Sequence, residues 1–206
     1  MIPCLHQVWL GGQPYPPILG AFMDAAQAVV NRTYGKWFYT RWCDEDLELA
    51  FDEWSELASR CCHVSQQSDV ARCLILGRFG GLYLDTDVEL FALPENLVGT
   101  WIAGTSNDPA ERTVNGCCLA CEPGAAYVRR MLDKIRSGQV DLGKHMAAGP
   151  DLCMAELGPD VNIWPAQVWH GRRGDGVALG HHYGWGPKIG SFLRSGNMPP
   201  TSPLAT

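Results

Sequence analysis

Two periods of hydrophobic and polar residues alternate along this chain, and the points where one gives way to the other divide it into elements. Leu5 to Leu10 is a short apolar run closed by Gly11-Gly12, which reads as a first buried strand, and Pro14, Pro16 and Pro17 then force a loop. Ile18 to Val30 carries its apolar residues at helical spacing. Lys36 to Trp42 (KWFYTRW) is aromatic and alternating, a second strand. Asp44 caps a helix running to about Ser59, with Leu47, Ala50, Phe51 and Trp54 on one stripe.

The middle of the chain is the most informative. Ser68 caps a helix whose positions Val70, Cys73, Leu74 and Gly77 follow the helical period, and Gly80-Gly81 stops it. Leu82-Tyr83-Leu84 is then a short buried strand that delivers Asp85-Thr86-Asp87 at its end, with Val88 to Phe91 as a continuing strand. Trp101 to Thr105 and Val114 to Ala120 read as strands. A helix from Pro123 to about Ile135 follows, and Gly149-Pro150-Asp151 opens a short helix to Leu157. Val161 to Trp164 and Val177 to His181 are late strands, and a tail rich in Pro, Ser and Thr frays from Gly196. Strands alternating with helices predict one three-layer α/β domain over residues 1–195 with a largely parallel sheet, and a flexible tail at 196–206. Ligands in such sheets sit beyond the carboxyl ends of the strands, where the acidic turn lies.

Composition narrows the classes. Of 206 residues, 46% are hydrophobic and 18% charged, enough for a packed core and against disorder. A net charge of −6 argues against a protein that tracks a phosphate backbone over a broad surface. The basic group Arg129, Arg130, Lys134 and Arg136 reads as a solvated helix face. Nine cysteines, with Cys61-Cys62 and Cys117-Cys118 adjacent, point to a reducing, cytoplasmic location. Cys118-Leu-Ala-Cys121 has the spacing of half a zinc ribbon, yet on a strand residues three apart face opposite sides. The first residues lack a basic start and a long apolar stretch, and no run reaches the ~18 apolar residues of an integral membrane segment.

Asp85 and Asp87, one residue apart at a strand end, project to nearly the same place. Mg²⁺ and Mn²⁺ prefer oxygen ligands, and proteins commonly supply one or two carboxylates while a substrate diphosphate supplies the rest. Asp69 and Arg72, three apart on a helix, share one face just upstream.

The segment Ser68-Asp69-Val-Ala-Arg72 followed by Gly80-Gly81-Leu-Tyr83-Leu-Asp85-Thr-Asp87 resembles the signature of the sugar-transferase family with the Asp-x-Asp motif. That family includes yeast-type initiating mannosyltransferases and bacterial capsular sugar transferases, and the large clostridial glucosylating toxins share its core. The start, His6-Gln-Val8-Trp9-Leu-Gly11-Gly12, is similar to the family's first strand. The resemblance implies a GT-A fold, Rossmann-like with a mostly parallel mixed sheet, and retaining transfer of a hexose from a nucleotide-diphosphate sugar. A UDP-sugar is the favoured donor, and Mn²⁺ or Mg²⁺ the cofactor. It also implies residue roles. Val8 and Trp9 border the nucleobase; Asp69 and Arg72 hold donor sugar and phosphate; Tyr83 lies near the nucleotide. Asp85 and Asp87 serve ribose and metal, and Asn115 lies near the reacting carbon. His182, or its neighbour His181, completes the metal site, and Trp185 touches the departing diphosphate. Gly184 stands where the family commonly has Ser, which removes a hydroxyl contact to phosphate. The acceptor is open: a glycan, a lipid-linked sugar, a protein or a modified base. Its binding surface is either minimal or built partly from another subunit, as in a homo-oligomer. Two alternatives remain at this stage. In a phosphohydrolase of the haloacid-dehalogenase type, Asp85 attacks phosphorus and Asp87 protonates the leaving group; the other alternative is an inactive sugar-nucleotide-binding module.

Overall fold

A computed structural model describes residues 4–34, 38–93, 97–108, 110–171 and 176–184. Trp185 and the tail expected at 196–206 lie outside the described residues. The elements run β1 (Cys4–Val8), α1 (Pro17–Tyr34), β2 (Phe38–Trp42), α2 (Asp44–Ala50), α3 (Trp54–Arg60), α4 (Val64–Phe79), β3 (Gly81–Leu84) and β4 (Val88–Leu90). They continue with β5 (Thr100–Gly104), β6 (Val114–Cys121), α5 (Ala126–Arg136), α6 (Pro150–Ala155), β7 (Val161–Trp164), α7 (Ala166–His170) and β8 (Gly180–His182). Six strands form one sheet in the order β2-β1-β3-β6-β5-β7, and β4 pairs with β8 apart from it. Strand β6 runs antiparallel to both its neighbours while the other ladders are parallel, so the sheet is mixed and mostly parallel, as the alternation predicts.

Each face of the sheet buries its own core. Tyr83, Leu119 and Cys121 face a cluster with Val70, Leu74, Tyr127, Val128 and Leu152 from α4, α5 and α6. Leu82, Leu84, Cys118 and Ala120 face a second cluster with Ala26, Val29 and Val30 of α1 and Trp169 of α7. The period-two alternation along β3 and β6 is therefore what sorts side chains between the layers. Cys118 and Cys121 fall in different clusters on opposite faces, as their strand spacing requires. On the outer face of α5, Arg130 pairs with Asp160 and with the buried carboxylate of Glu156, Lys134 with Glu156 and Arg136 with Glu53, so three of the basic residues sit in ion pairs at the surface.

Three boundaries differ from the sequence expectation. The helix expected from Asp44 to Ser59 is two helices, because Phe51 takes an extended backbone (φ −135°, ψ 107°). Phe51 and Trp54 both bury against the core on either side of the break. Helix α4 begins at Val64, a turn before Ser68. Its start is held by the buried Gln66, whose amide accepts from the Cys62 N–H and donates to the Lys144 carbonyl, while Ser68 Oγ donates back to Val64 within the helix. The last strand is Gly180–His182 rather than Val177 to His181, and α7 was not anticipated.

The turn between α4 and β3 fixes where the acidic residues emerge. Gly80 has φ 62° and ψ −151°, a region open essentially to glycine. A Cβ there would lie 2.5 Å from Pro123 N and 2.8 Å from the Cys121 carbonyl. The Gly80 carbonyl meets His6 Nε2 at 3.1 Å, while His6 Nδ1 accepts from Trp42 Nε1. Burial lowers the His6 pKa to about 4, so the ring is the neutral Nε2–H tautomer at pH 7, bonded on both sides. Gly80→Ala should cost about 3 kcal/mol or more through strain and overlap. Urea unfolding checks this, and a loss below about 0.5 kcal/mol would mean that the turn relaxes at little cost.

Candidate active site

Strand β3 ends at Leu84, and its alternation carries Tyr83 and Asp85 to the α4 side of the sheet. Tyr83 is fully buried and its hydroxyl hydrogen-bonds Asp85. The Asp85 N–H donates to the Cys117 carbonyl at 2.8 Å, and its own carbonyl accepts from Gln7 Nε2 at 3.2 Å. Tyr39 in turn donates to Gln7 Oε1 at 2.5 Å. The acidic turn is thus held by strands on both sides of it.

Helix α4 supplies Asp69 and Arg72 on one face, as their spacing requires. Arg72 is buried. Its guanidinium pairs with Asp69, donates to the Gly116 carbonyl and lies 4.8 Å from the centre of the Tyr83 ring. Gly116 is available because of an irregularity in β6. Ile102 pairs with Leu119 but Ala103 pairs with Asn115, so the extra residues between them leave the ladder. A Cβ on Gly116 would occupy the guanidinium's space, and one on Gly149 would collide with the Asp69 carboxylate. Burial lifts the Asp69 carboxyl to about 6, with Arg72 pulling it down and Asp85 pushing it up. Asp85 is raised as well, first by burial, with Arg72 opposing and Asp87 adding to the effect.

Strand β8 brings in the third partner. Val88 pairs with His182, which places the His182 ring beside the acidic turn. His182 Nε2 lies 3.4 Å from Asp87 Oδ1 and 3.9 Å from Asp85 Oδ2. The ligating atoms of Asp85, Asp87 and His182 all lie within 4.8 Å of one another. Burial alone would lower the His182 pKa, but hydrogen bonds to Asp87 and Cys117 override it and lift it to about 11. His181 is placed elsewhere: its Nδ1 meets the Gly171 carbonyl at 2.8 Å and its ring stands edge-on to Tyr183.

These groups open onto one cavity of about 630 Å³, whose walls include Val8, Trp9, Asp69, Arg72, Tyr83, Asp85, Asp87, Asn115 and His182. Of the residues singled out from sequence, only His181 falls outside this wall and Trp185 outside the described residues. Trp9 is half-buried, its indole N–H donating to Gln13 O at 2.6 Å and its ring edge-on to Tyr15. Asn115 Oδ1 accepts from the Cys117 N–H at 3.0 Å. Sequence reasoning missed Gln7, Gly116, Cys117 and Gly149. Gln7 carried a signal, a polar residue inside an apolar strand. Gly149 reads from sequence only as part of a Gly149-Pro150 match to the family, and Gly116 carries no signal, because the role of either depends on which side chain reaches it. Among the described residues, no helix is long and apolar enough to cross a membrane.

Residues 24–101 match the family model described as glycosyltransferase sugar-binding region containing DXD motif. No curated protein sequence matches the chain. Among solved structures, the chain is similar to the PaToxG glycosyltransferase, with 17% identity, 75% of this chain and 68% of that chain covered, and a TM-score of 0.50. It is also similar to the galactosyltransferase LgtC in complex with donor and acceptor sugar analogs, with 12% identity, 96% and 98% coverage, and a TM-score of 0.49. The ligand-free glycosyltransferase domain from the YGT toxin aligns at 10% identity over 66% of this chain and 62% of that chain, TM-score 0.43. At these identities the likeness concerns the fold, and only the first alignment is close enough to carry it.

The Asp69–Arg72 pair makes a pH-dependent prediction. Because the folded Asp69 carboxyl titrates above its ordinary value, its ionisation costs stability as pH rises through roughly 4 to 6. Arg72 offsets that cost. Arg72→Met should therefore destabilise the protein by about 3–5 kcal/mol at pH 7.5, where it strands a buried carboxylate, and by clearly less at pH 4.5. Urea unfolding at the two pH values measures the difference; equal losses would show that Asp69 does not depend on Arg72.

Proposed function

We propose that this chain is a glycosyltransferase, on the match of residues 24–101 to the DXD sugar-binding region and a fold similar to that of the PaToxG glycosyltransferase, and that it moves a hexose from a nucleotide-diphosphate sugar, a UDP-sugar in preference, to an acceptor hydroxyl with retention of configuration. The observation that carries this is the meeting of Asp85, Asp87 and His182 in the same cavity as Trp9 and the Asp69–Arg72 pair. Two carboxylates and one imidazole are a donor set that suits Mn²⁺ better than Mg²⁺, since imidazole is a less natural ligand for magnesium. A divalent ion held by these three residues would offset the negative charge that grows on the departing diphosphate.

The chain's own residues divide the remaining work. Trp9 offers a flat face and Val8 an apolar edge to the nucleobase, beside the mouth of the cavity. Tyr83 and Asp85 serve the nucleotide, with Asp85 toward the ribose. Arg72, permanently charged, gives the buried end of the cavity a positive potential for donor phosphate, and its partner Asp69 accepts from sugar hydroxyls. Asn115 stands toward the reacting carbon, and Trp185 would meet the leaving diphosphate. Asp69 is locked against Arg72 while Asp85 and Asp87 face His182. This supports front-face attack, in which the departing phosphate takes the acceptor's proton, over a covalent glycosyl-enzyme. The reading treats residues 1–195 as one catalytic domain. Nine free thiols support a cytoplasmic site of action. The position of the Asp-x-Asp turn, on the third strand in chain order rather than the first, weighs against the phosphohydrolase alternative.

The test is a panel of sugar nucleotides with and without Mn²⁺, read by thermal shift and by transfer or hydrolysis of the donor. One donor should stabilise the protein and turn over, and Asp87→Asn should lower turnover by at least about 100-fold while the protein stays folded, because a neutral amide is a poor ligand for a hard cation. Near-normal turnover in Asp87→Asn would defeat the assignment. Trp9→Ala should weaken donor binding by ~1–3 kcal/mol in calorimetric titration; unchanged affinity would return Trp9 to a packing role.

A further inference from the structure

His182 also belongs to a second group of side chains. The ligating atoms of Cys117, His170 and His182 lie within 4.8 Å of one another, as those of the acidic set do. They come from three separate elements: the irregular stretch of β6, the last turn of α7, and β8. Backbone contacts hold each in place. Cys117 is pinned through its N–H to Asn115 Oδ1 and through its carbonyl to the Asp85 N–H. His170 forms an isolated bridge with His181, and its Nε2 lies 3.4 Å from Asn115 Nδ2. His182 pairs with Val88 in the β4–β8 ladder.

We propose that Cys117, His170 and His182 form a second metal site, which takes a borderline divalent ion such as Zn²⁺ and shares the His182 ring with the oxygen-rich set at Asp85 and Asp87. The chemistry separates the two sets. A thiolate with two imidazoles selects zinc-like ions, whereas carboxylates select Mg²⁺ and Mn²⁺. With bond lengths of about 2.0–2.3 Å, the edges of a tetrahedral site with one sulfur and two nitrogens are about 3.3–3.6 Å, so atoms at the 4.8 Å limit need to close by about 1.2–1.5 Å. Cys117 and His182 are both in the wall of the cavity, which gives an ion an entry path and leaves a fourth position for water. On binding, the Cys117 thiol and the protonated His182 ring each give a proton to solvent, and the sulfur and a ring nitrogen give their lone pairs to the ion; no redox change occurs. A His182 ring committed to this ion is a poorer partner for the other set. Zinc is therefore an antagonist of the Mn²⁺-supported reaction; this antagonism, unlike the binding itself, rests on the function proposed above.

Co²⁺ is the optical probe. Titrated into the reduced full chain, one equivalent should give the near-ultraviolet thiolate-to-cobalt absorption and intense visible bands of a tetrahedral ion, and Zn²⁺ should bleach both. Cys117→Ser should abolish the thiolate band. His170→Asn should weaken Co²⁺ by more than the roughly 10–100-fold that follows loss of a mere outer partner. Asp87→Asn should retain the band. Because Cys117 is buried, circular dichroism accompanies each variant, and the half-buried His170 carries the test if Cys117→Ser fails to fold. Absence of a thiolate band from the folded protein, its persistence in Cys117→Ser, or its loss in Asp87→Asn would each overturn the second site. None of these readouts depends on whether the protein turns over a sugar nucleotide.

Discussion

One buried cation underlies the architecture of this site. Arg72 lies beneath the cavity with its guanidinium against Asp69, the Gly116 carbonyl and the Tyr83 ring. Three carboxylates, those of Asp69, Asp85 and Asp87, gather within the same small volume. Unpaired, they would repel one another and resist burial; the elevated pKa of Asp69 and Asp85 records that pressure. The Arg72 charge is permanent, so it acts in every protonation state of the others. His182 supplies a second counterweight, a proton held by its hydrogen bond to Asp87, which leaves whenever the ring ligates an ion. A site assembled this way is attractive to a further cation and still holds a positive charge at depth for a phosphate.

Placing that cation requires backbone to be absent at chosen points. Gly116 and Gly149 lack the Cβ atoms that would displace Arg72 and Asp69. The irregularity in β6 turns the Gly116 carbonyl out of the ladder, where it can accept from Arg72. The cavity therefore owes its shape to a departure from regular pairing at the centre of the sheet, while the flanking ladders stay regular. This is the common relation between a bulge and the site beside it. The rest of the fold supplies rigidity: β3 is paired on both sides, and the acidic turn after it is tied to β1 through Gln7 and to β6 through Cys117.

The His182 ring is where two chemistries meet. Toward the acidic turn it completes an oxygen-rich set; toward Cys117 and His170 it completes a softer one. Cations that prefer one set are disfavoured by the other, so the composition of the surrounding medium has a direct physical route to the site. The same ring is delivered by a short two-stranded ladder outside the main sheet, β4 with β8. The two candidate ligand sets therefore depend on the pairing of the last described strand.

From the sequence alone came the layered α/β fold, the strand that delivers the Asp-x-Asp turn, and the face shared by Asp69 and Arg72. These follow from local rules: the periods of strand and helix, the glycine stop at Gly80-Gly81, and the three-residue spacing on a helix. The resemblance of the Ser68 to Asp87 stretch to known sugar transferases pointed to the same residues. The tertiary structure alone decided which histidine faces the acid pair, because His181 and His182 are equivalent in composition and differ only by the register of β8 against β4. It also decided that Gly116, Gly149 and Gln7 support the site and that Cys117 and His170 stand beside it. Those relations join segments far apart in the chain, and no local periodicity encodes the distance between side chains that meet only after the sheet has formed.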